Sequence, residues 1–590
     1  MSRTLSLPWF PVALIVILAV ATIGRGAAPA DADTPVYADG AGLCNGLTPC
    51  FTTIQEAVNN AGPAPAEVFV FPGTYAETVD LGLMGSDIAG SAGDLALTTV
   101  NASAAPAPGT ATISPATGEA IFAFSFPGAL TIDGFVATSA DDTAIDVDVD
   151  GDLAIANVTA NNNAAGDGVV AHSNAGDVTV TNVTANGNSS DGLDVEGSGN
   201  LTITNSTAND NGGNGFEIDV GGDVAVSGSS ADGNEDEGFD INGVEGGAAG
   251  DVTINGSSAS GTTDDDGFEI DAASVAVSNS TANDNSDEGF DIVSSGAVTL
   301  DRVTAIGNGE DGIDVEGQFI DEGGPSAGNV TIRNSNLQDN ANAGVEVLES
   351  GTSAGTLLVN GNIICGNTIS GLALLTDASV NAEGNWWGAA SGPTHPSNGA
   401  GTGDAVMDAA NPDPVFAEGT VDFDPWVDTI TGSADPAVAG SDSAVSFQFS
   451  DAAATVFLGD GPGDPAGPPF TLTTDNGTLA SSTGTGATVT ESINNPDGTL
   501  EVTLTPDTAG SATVTVTGPC GLDDSLGGSI VLNVAAAPSQ ATPTPTPAAL
   551  PPTGATPSSS GGNSGLAIAL AIGALAVLGA GAWALRRRLA

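Results

Sequence analysis

The chain has 590 residues, of which 7 are Lys or Arg and 73 are Asp or Glu, so its formal net charge at pH 7 is −66. No lysine occurs, and between the two ends of the chain Arg302 and Arg333 are the only basic side chains besides two histidines. Such a composition excludes binding of nucleic acid, anionic lipid or acidic polysaccharide by direct charge attraction, because no cations replace the counterions. The alternative is a solvated acidic surface adapted to high salt, which implies no partner.

The N-terminal residues 1–32 have the composition of a secretory signal peptide. Arg3 precedes an apolar run over 12–23, and small residues such as Ala28 and Ala30 follow it. The run is short for a membrane span, although an uncleaved anchor stays open as the alternative. In the oxidising compartment that a signal peptide implies, the close spacing of Cys44 and Cys50 predicts a local disulfide.

A repeat of roughly 23 residues fills the middle of the chain, as the glycines Gly192, Gly215 and Gly238 show. Its unit is Asn, three residues, Gly, an apolar residue, an acid and an apolar residue, and a second alternating stretch such as 177–180 lies between units. Alternation predicts strands, and the frequent Gly, Asn and Asp disfavour helix. The repeat therefore predicts an all-β solenoid, one coil of a parallel β-helix per repeat, with equivalent residues stacked about 4.8 Å apart.

Stacking explains the residue type at each repeat position. Phenylalanines at one inward position should form an aromatic column, which comprises Phe216, Phe239, Phe268 and Phe290. Asparagine amides at the turn should bond from coil to coil and satisfy buried backbone groups. The predicted ladder comprises Asn188, Asn211, Asn234, Asn285, Asn308 and Asn340.

Acidic residues follow the same repeat in two sets. The first set lies between inward apolar residues of a strand and should form an outward column, comprising Asp194, Glu217, Asp240, Glu269, Asp291, Asp314 and Glu346. The second set lies in the turns before the glycines, and its predicted metal ligands are Asp191, Asp236, Glu237, Asp265, Asp287, Glu288 and Asp311. Stacked like charges repel, and hard cations with six to eight oxygen ligands relieve the repulsion. The sequence predicts Ca²⁺ or another hard cation here, with a salt-screened acidic face as the alternative, and no cofactor that the fold requires.

Both ends of the repeat region resemble a known family. Residues 54–58, 68–70 and 72–75 are similar to the helix and first coil of pectin-lyase-like proteins, and Glu77 matches the acid that follows their first turn. Residues 385–388, 392–393 and 422–426 resemble the closing segment of bacterial right-handed β-helix repeat proteins. The resemblance implies a right-handed parallel β-helix with terminal caps over 33–430. Within that cap Trp386 and Trp387 are expected to divide between core and shielding, with sugar stacking as the alternative.

Ordinary alternating strands replace the repeat from residue 431, as in 444–447 and 499–505. They predict an immunoglobulin-like β-sandwich over 431–535, similar to those of bacterial surface adhesins. Cys520 lies in this segment and Cys365 in the repeat, and each is expected to be a lone buried thiol, with half of a long-range disulfide as the alternative. A linker rich in Pro, Thr, Ser and Gly follows over 536–565.

The C-terminal segments have the order of a surface anchor. Leu550, Pro551, Thr553 and Gly554 form an LPxTG-type pentapeptide, residues 566–585 are apolar and long enough for a transmembrane helix, and 586–590 are a basic tail that should stay cytoplasmic. This order resembles the cell-wall sorting signals of Gram-positive-type bacteria, in which a sortase cuts between Thr and Gly. The resemblance implies an extracellular protein held by its C-terminus, with a plain membrane anchor as the alternative.

Pectin-lyase-like folds also host polysaccharide lyases and hydrolases, so enzymatic activity has to be judged from individual residues. Arg302 and Arg333 are expected on opposite faces because they fall one position apart in register, and so they make poor partners for a uronate site. His172 and His395 are expected to be isolated surface or loop residues. Pairs of carboxylates with the separation found in glycoside hydrolases are expected throughout the repeat, so this criterion does not single out an active site. No catalytic residue is predicted.

The sequence is therefore interpreted as a non-catalytic cell-surface protein that displays a β-helix for adhesion, surface architecture or glycan contact. Its predicted partners are the cell envelope, through the C-terminus, and a glycan or surface ligand, with no nucleic acid. The alternative function is an extracellular polysaccharide lyase or glycoside hydrolase acting on a neutral glycan.

Overall fold

The computed structural model describes residues 35–61, 66–82, 94–100, 111–139, 141–244, 247–317, 328–348, 355–375, 378–412, 419–451, 469–493, 499–523 and 526–538. The predicted signal peptide, the pentapeptide with Leu550, Pro551, Thr553 and Gly554, the apolar segment 566–585 and the basic tail lie outside these residues. Among the described residues, no helix combines the length and the apolar composition needed to cross a membrane. All elements below belong to the compact unit Met1–Ala537.

Within the described parts of residues 36–422, the main elements are one short α-helix and a long series of short strands. The helix α1 spans Ile54–Asn59. The strands are β1 (Val36–Ala38), β2 (Cys50–Phe51), β3 (Ala66–Val70), β4 (Gly73–Tyr75), β5 (Val79–Asp80), β6 (Leu95–Thr99), β7 (Ala111–Ile113), β8 (Ile121–Phe126), β9 (Leu130–Asp133), β10 (Phe135–Ala137), β11 (Ile145–Val149), β12 (Leu153–Ala156), β13 (Val169–Ser173), β14 (Val178–Thr181), β15 (Leu193–Gly197), β16 (Leu201–Thr204), β17 (Phe216–Val220), β18 (Val224–Ser227), β19 (Phe239–Asn242), β20 (Ala249–Asn255), β21 (Phe268–Ser278), β22 (Thr281–Asn283), β23 (Phe290–Ser294), β24 (Val298–Asp301), β25 (Thr304–Ile306), β26 (Ile313–Gly317), β27 (Val330–Arg333), β28 (Asn336–Gln338), β29 (Ala343–Leu348), β30 (Leu357–Asn360), β31 (Ile363–Cys365), β32 (Ser370–Leu374), β33 (Ser379–Asn381), β34 (Pro393–Thr394), β35 (Gly403–Met407) and β36 (Thr420–Asp422).

These strands stack in parallel on three faces, so the described chain winds as a parallel β-helix. One face runs from β5 and β8 through β11, β13, β15, β17 and β19 to β35, and a second runs from β1, β3, β6 and β9 through β12 and β14 to β36. The continuous strand β21 contributes to both faces. On the third face, β4, β7 and β10 connect to β22, β25, β28 and β31 through single parallel bridges at residues such as Thr159, Thr184 and Thr207. The predicted coil-per-repeat architecture is confirmed.

The interior is apolar because inward residues of all three faces meet there. The predicted aromatic column is present: successive rings of Phe216, Phe239, Phe268 and Phe290 stack with centroids 4.6, 4.9 and 4.9 Å apart. These spacings match the distance between neighbouring strands. The repeat glycine is required beside this core, since a Cβ at Gly289 would lie 2.7 Å from Asn308 Nδ2 and from the Gly312 carbonyl oxygen.

The asparagines of the predicted ladder form one file. Asn188 and Asn211 each donate from Nδ2 to Oδ1 of the next asparagine, which is Asn234 at the end of this stretch. Thr262 occupies the following coil and donates from Oγ1 to Asn285, from which the file continues through Asn308, Asn340 and Asn367. Because Thr262 stands where an asparagine would accept, Asn234 Nδ2 is buried without a partner within the described residues.

The N-terminal end of the β-helix is closed by α1. Thr53 caps the helix by accepting from the Glu56 amide at 3.1 Å, and the Glu77 carboxylate accepts from the amides of Ile54 and Gln55 at 2.8 and 3.1 Å. A carboxylate at a helix N-terminus satisfies its free amides. Cys44 and Cys50 are joined by a disulfide with their Cα atoms 5.8 Å apart.

Two antiparallel sheets follow over residues 429–534. Their strands are β37 (Thr429–Ala434), β38 (Ser443–Ser450), β39 (Phe470–Thr474), β40 (Thr478–Ala480), β41 (Thr485–Gly486), β42 (Thr488–Glu491), β43 (Thr499–Thr505), β44 (Gly510–Thr517) and β45 (Ser529–Val534). The strand orders are β37-β38-β43-β40-β41 and β42-β39-β44-β45. The two sheets share one apolar core, which includes Phe447, Phe449 and Phe470. The immunoglobulin-like assignment of this region stays a prediction.

The β-helix and the antiparallel sheets are joined by a disulfide between Cys365 and Cys520, whose Cα atoms lie 6.3 Å apart. The expectation of two lone thiols is therefore wrong. The cause is the packing of the last coils: Ile363, Cys365 and Trp386 belong to the core of the antiparallel sheets, and Trp386 Nε1 donates to the Cys520 carbonyl oxygen at 3.1 Å.

Candidate functional site

One face of the β-helix carries a column of acidic side chains, here called the strand column. Strand pairing places Asp194 beside Glu217, and the column continues in register through Asp240, Glu269, Asp291, Asp314 and Glu346. The flanking residues point into the core, so the acids point outward as predicted. Each acid is nevertheless only partly exposed, which removes some of the water that would screen its charge.

A second acidic column, here called the turn column, lies next to the first. It consists of the residues directly before the repeat glycines: Asp167, Asp191, Asn214, Glu237, Asp266, Glu288 and Asp311. One side-chain oxygen of most members accepts from the backbone amide one coil further on, as from Asn214 to Asp191 at 2.6 Å and from Glu288 to Asp266 at 2.6 Å. These backbone bonds fix the orientation of the carboxylates.

Carboxyl groups of neighbouring coils are in hydrogen-bonding contact, as in the pairs Asp191–Glu217, Glu237–Glu269 and Asp266–Glu288. Two carboxylates form such a contact only if they share a proton. Burial, followed by the charge of Asp191, raises the pKa of Glu217 to about 8. Burial, followed by the contact with Glu288, raises the pKa of Asp266 to about 10.

Among the described residues, Oδ1 of Asp291 and Oδ1 of Asp314 in the strand column are buried and have no hydrogen-bond partner. Burial and neighbouring acids raise the pKa values of these groups to about 7 and about 9. A buried polar atom without a partner is unfavourable, because it has lost water and gained nothing. This part of the face therefore favours either protons or bound cations.

Three acids at adjacent coils converge closely enough to share an ion. One carboxylate oxygen each from Glu288, Glu310 and Asp311 lies within 4.8 Å of the other two. Oxygens bound to one Ca²⁺ lie 2.3–2.6 Å from the ion, so any two of them are at most about 5 Å apart. The donor type and the separations fit a hard cation.

The structure places the predicted metal ligands in two rows. Asp191, Glu237, Glu288 and Asp311 belong to the turn column, whereas Asp236, Asp265 and Asp287 lie one residue earlier. Burial and the charge of Asp287 raise the pKa of Asp265, and Asp265 is in hydrogen-bonding contact with Glu237, so the two rows are adjacent. The predicted ligands omit Glu310, which the structure brings together with Glu288 and Asp311. They also omit Asp266, whose position directly before Gly267 is that of the whole turn column.

The prediction that the two histidines are isolated is wrong. His172 is not isolated, because its Nε2 lies 3.8 Å from Asp194 Oδ2 and 3.7 Å from Glu196 Oε2. The contact with Asp194 raises the pKa of His172 despite its burial. His395 is neither exposed nor isolated, since it is buried against Asp408 at 3.0 Å.

Trp386 and Trp387 are both buried, at 2% and 0% exposure, so neither shields the cap and neither is available to stack on a sugar. Arg302 and Arg333 do not point to opposite faces, because both contact Asp301. Asp301 ends its strand, so the alternation of side chains that the expectation assumed does not extend to Arg302.

The family model "Right handed beta helix region" matches residues 111–246 and 242–386, so these stretches carry a right-handed parallel β-helix. The A-module of mannuronan C-5 epimerase AlgE6 from Azotobacter vinelandii is similar at 14% identity, covering 62% of this chain and 92% of that chain with a TM-score of 0.33. The tailspike protein gp49 from Acinetobacter baumannii bacteriophage Fri1, a capsular polysaccharide depolymerase, is similar at 10% identity, with 85% of each chain covered and a TM-score of 0.30. Likeness at this level does not bear on activity. No curated protein matches the chain.

Proposed function

We propose that this protein is an extracellular, surface-attached β-helix that acts without catalysis along its acidic face, in adhesion, surface architecture or glycan contact. We further propose that the face binds hard divalent cations, Ca²⁺ first among them. The observation that carries the proposal is the pair of adjacent acidic columns, in which carboxyl groups of neighbouring coils are in contact. In the part of the chain that the structure describes, the buried Oδ1 atoms of Asp291 and Asp314 have no partner.

The pairing of the cysteines supports an extracellular location. All four cysteines are in disulfides, Cys44 with Cys50 and Cys365 with Cys520. Disulfides persist in oxidising compartments and are rare in the cytosol. This agrees with the proposed removal of residues 1–32 as a signal peptide.

The join between the β-helix and the antiparallel sheets supports a display function. A tether at the C-terminus, which we propose is formed at Thr553 by a sortase, would transmit force through the antiparallel sheets to the β-helix. The Cys365–Cys520 disulfide and the shared core around Trp386 fix the β-helix to the antiparallel sheets, so the junction is not a flexible hinge.

Cations would change what the acidic face can contact. With the chain's net charge of −66, the bare face repels anionic surfaces. Ca²⁺ held by Glu288, Glu310 and Asp311 would neutralise part of that charge and keep open coordination positions, which hydroxyl or carboxylate oxygens of a glycan can fill. Binding to a glycan would then depend on the cation.

The alternative is a hydrolase or lyase acting on a neutral glycan, and one pair favours it. Burial and Asp191 raise the pKa of Glu217 to about 8, so at neutral pH a protonated acid lies beside another carboxyl group. Glycoside hydrolysis uses such a division between acid and base. Release of reducing ends from a neutral glycan, lost in Glu217→Gln, would favour this alternative.

Calcium titration of the full secreted chain by isothermal calorimetry tests the cation proposal, with NaCl added to match ionic strength. We expect saturable binding that is weakened at least fivefold in Glu288→Gln/Glu310→Gln/Asp311→Asn. The matched control is Glu67→Gln/Asp435→Asn/Asp507→Asn, which removes the same charge from exposed positions outside both columns and should bind like the wild type. Equal weakening in both variants would show a general charge effect and contradict a built site.

A further inference from the structure

A buried histidine–aspartate pair lies in the C-terminal cap of the β-helix, away from both acidic columns. His395 directly follows β34 and Asp408 directly follows β35, and these two strands pair with each other. The pairing brings His395 Nε2 to 3.0 Å from Asp408 Oδ1, and the two side chains are only 4% and 5% exposed.

The hydrogen bonds around His395 define its tautomer. The backbone amide of Ser397 donates to His395 Nδ1 at 3.2 Å, so Nδ1 carries a lone pair. Nε2 therefore carries the proton and donates it to Asp408. The imidazole is also held by an edge contact with Phe423, whose ring centroid is 5.1 Å away.

Asp408 is fixed as an ionised group. Its Oδ1 accepts from the amides of Ala410 and Asn411 at 2.8 and 3.2 Å, and its Oδ2 accepts from the amide of Val421 at 3.1 Å. Burial alone would raise its pKa, but His395 and these amides outweigh burial and lower it. A carboxylate at Nε2 holds the imidazole in this tautomer and orients Nδ1.

An exposed hydroxyl group lies next to His395 Nδ1. Ser397 Oγ is 2.7 Å from His395 Nδ1, and Ser397 itself is exposed. Nothing lies within 4 Å of the position that a Cβ of Gly399 would take. Within the described residues the amides of Gly399 and Ala400, two and three residues after Ser397, make no hydrogen bond. A nucleophile, a base and an orienting carboxylate in this order meet the geometric criteria for nucleophilic catalysis.

We propose that Ser397, His395 and Asp408 form a nucleophilic centre that hydrolyses small acyl esters, such as acetyl esters of sugar hydroxyls. Ser397 Oγ attacks the ester carbonyl carbon while its proton moves to His395 Nδ1. The carbon–oxygen bond to the alcohol breaks, and the alcohol oxygen takes the proton from Nδ1. Water then attacks the acyl-Ser397 with the same base, which releases the carboxylic acid and restores the hydroxyl group. The substrate is uncharged because the surrounding chain is acidic, and an open centre suits an ester on the surface of a polymer.

This proposal does not depend on the cation proposal, because the two sites share no residue. The competing explanation is that Ser397 only caps the turn after β34. The first test is labelling of the full secreted chain with a fluorophosphonate, with the modified residue mapped by mass spectrometry. We expect labelling at Ser397 that is lost in Ser397→Ala and retained in Ser511→Ala, an exposed serine on β44. A folded wild-type chain without label at Ser397 would overturn the proposal.

A second test separates a base from a turn cap without removing His395. All four native cysteines are paired, so Ser397→Cys introduces a single free thiol, and Ser511→Cys provides the matched control. A thiol beside a basic imidazole ionises at lower pH, so the pH dependence of iodoacetamide alkylation should give a midpoint at least one pH unit below that of the control. Identical midpoints in the two variants would show that His395 does not act on position 397, and the centre would be rejected.

Discussion

Arg302 and Arg333 bind the same carboxylate oxygen: Asp301 Oδ2 lies 3.1 Å from Arg302 Nη1 and 3.0 Å from Arg333 Nη2. The other oxygen of Asp301 accepts from Asn334 Nδ2 at 3.0 Å. The two arginines of the β-helix, isolated in a strongly acidic chain, thus neutralise one buried acid.

Removal of the Asp301 charge should take away the carboxylate that the two guanidinium groups share. We expect Asp301→Asn to lower the free energy of unfolding by about 3 kcal/mol, because breaking a buried ion pair leaves an uncompensated charge. Arg333 is 48% exposed on its side chain, so Arg333→Gln should cost under about 1 kcal/mol. Urea unfolding followed by circular dichroism measures both. Equal losses in the two variants would show that Asp301 is not the centre of the cluster.

The position of Arg302 shows where sequence reasoning failed. Its φ is +59°, and Asn279 and Asn334, the equivalent residues of the neighbouring coils, have φ of +53° and +56°. Side-chain alternation holds within a strand, and it correctly gave the strand column and the phenylalanine column because both lie inside strands. A residue with left-handed backbone at the strand end interrupts the alternation. Arg302 stands where the neighbouring coils have asparagine, and the repeat pattern does not show that an arginine there adopts the same backbone conformation.

The repeat pattern also did not predict contacts between segments that are far apart in the chain. The Cys365–Cys520 disulfide spans 155 residues and depends on how the antiparallel sheets pack against the last coils. The pair His395–Asp408 depends on the register of β34 and β35, which are outside the repeat. Periodicity predicts which residues stack on their equivalents, and it says nothing about residues that have none.

The interruption of the asparagine ladder gives a stabilising substitution. In Thr262→Asn, the new Oδ1 could accept from Asn234 Nδ2, which is buried without a partner within the described residues. One satisfied buried donor should add about 1 kcal/mol, visible as a higher midpoint in thermal unfolding. Thr262→Ala is the matched control and should lower the midpoint, because Thr262 Oγ1 donates to Asn285 Oδ1 at 3.1 Å. If Thr262→Asn also lowered it, the turn would lack room for the amide.

The disulfide between the β-helix and the antiparallel sheets should stabilise more than the N-terminal one. Cys365 and Cys520 close a sequence separation of 155 residues, against 6 for Cys44 and Cys50. In the chain-entropy account, a longer loop restricts the unfolded state more, with typical effects of about 2–4 kcal/mol. Cys365→Ser/Cys520→Ser should therefore lower the thermal midpoint more than Cys44→Ser/Cys50→Ser and increase proteolysis near residue 430. The reverse order would contradict a stabilising join.

The pH dependence of stability follows from the raised pKa values of the acidic columns. Burial, followed by repulsion between neighbouring acids, raises the pKa of Glu217 and Glu237 to about 8 and of Asp314 to about 9. Burial and the contact with Glu288 raise the pKa of Asp266 to about 10. Between the ordinary carboxyl pKa of about 4 and these values, the folded chain binds more protons than the unfolded chain, so stability falls as pH rises. Without divalent cations, the thermal midpoint should be highest near pH 5 and decline toward pH 9.

Calcium should reverse this decline, because it replaces the protons that the columns lose. Ca²⁺ binds carboxylates, so it competes with protons and stabilises the folded chain more at pH 9 than at pH 5. Melting curves at both values, with Ca²⁺ or with chelator at equal ionic strength, measure the difference. The rise in thermal midpoint that calcium causes at pH 9 should be smaller in Glu288→Gln/Glu310→Gln/Asp311→Asn. In the control Glu67→Gln/Asp435→Asn/Asp507→Asn, the rise should equal that of the wild type. If calcium raised the thermal midpoint equally at both pH values, it would bind somewhere other than the protonated columns. Only groups that titrate in this range make calcium binding depend on pH.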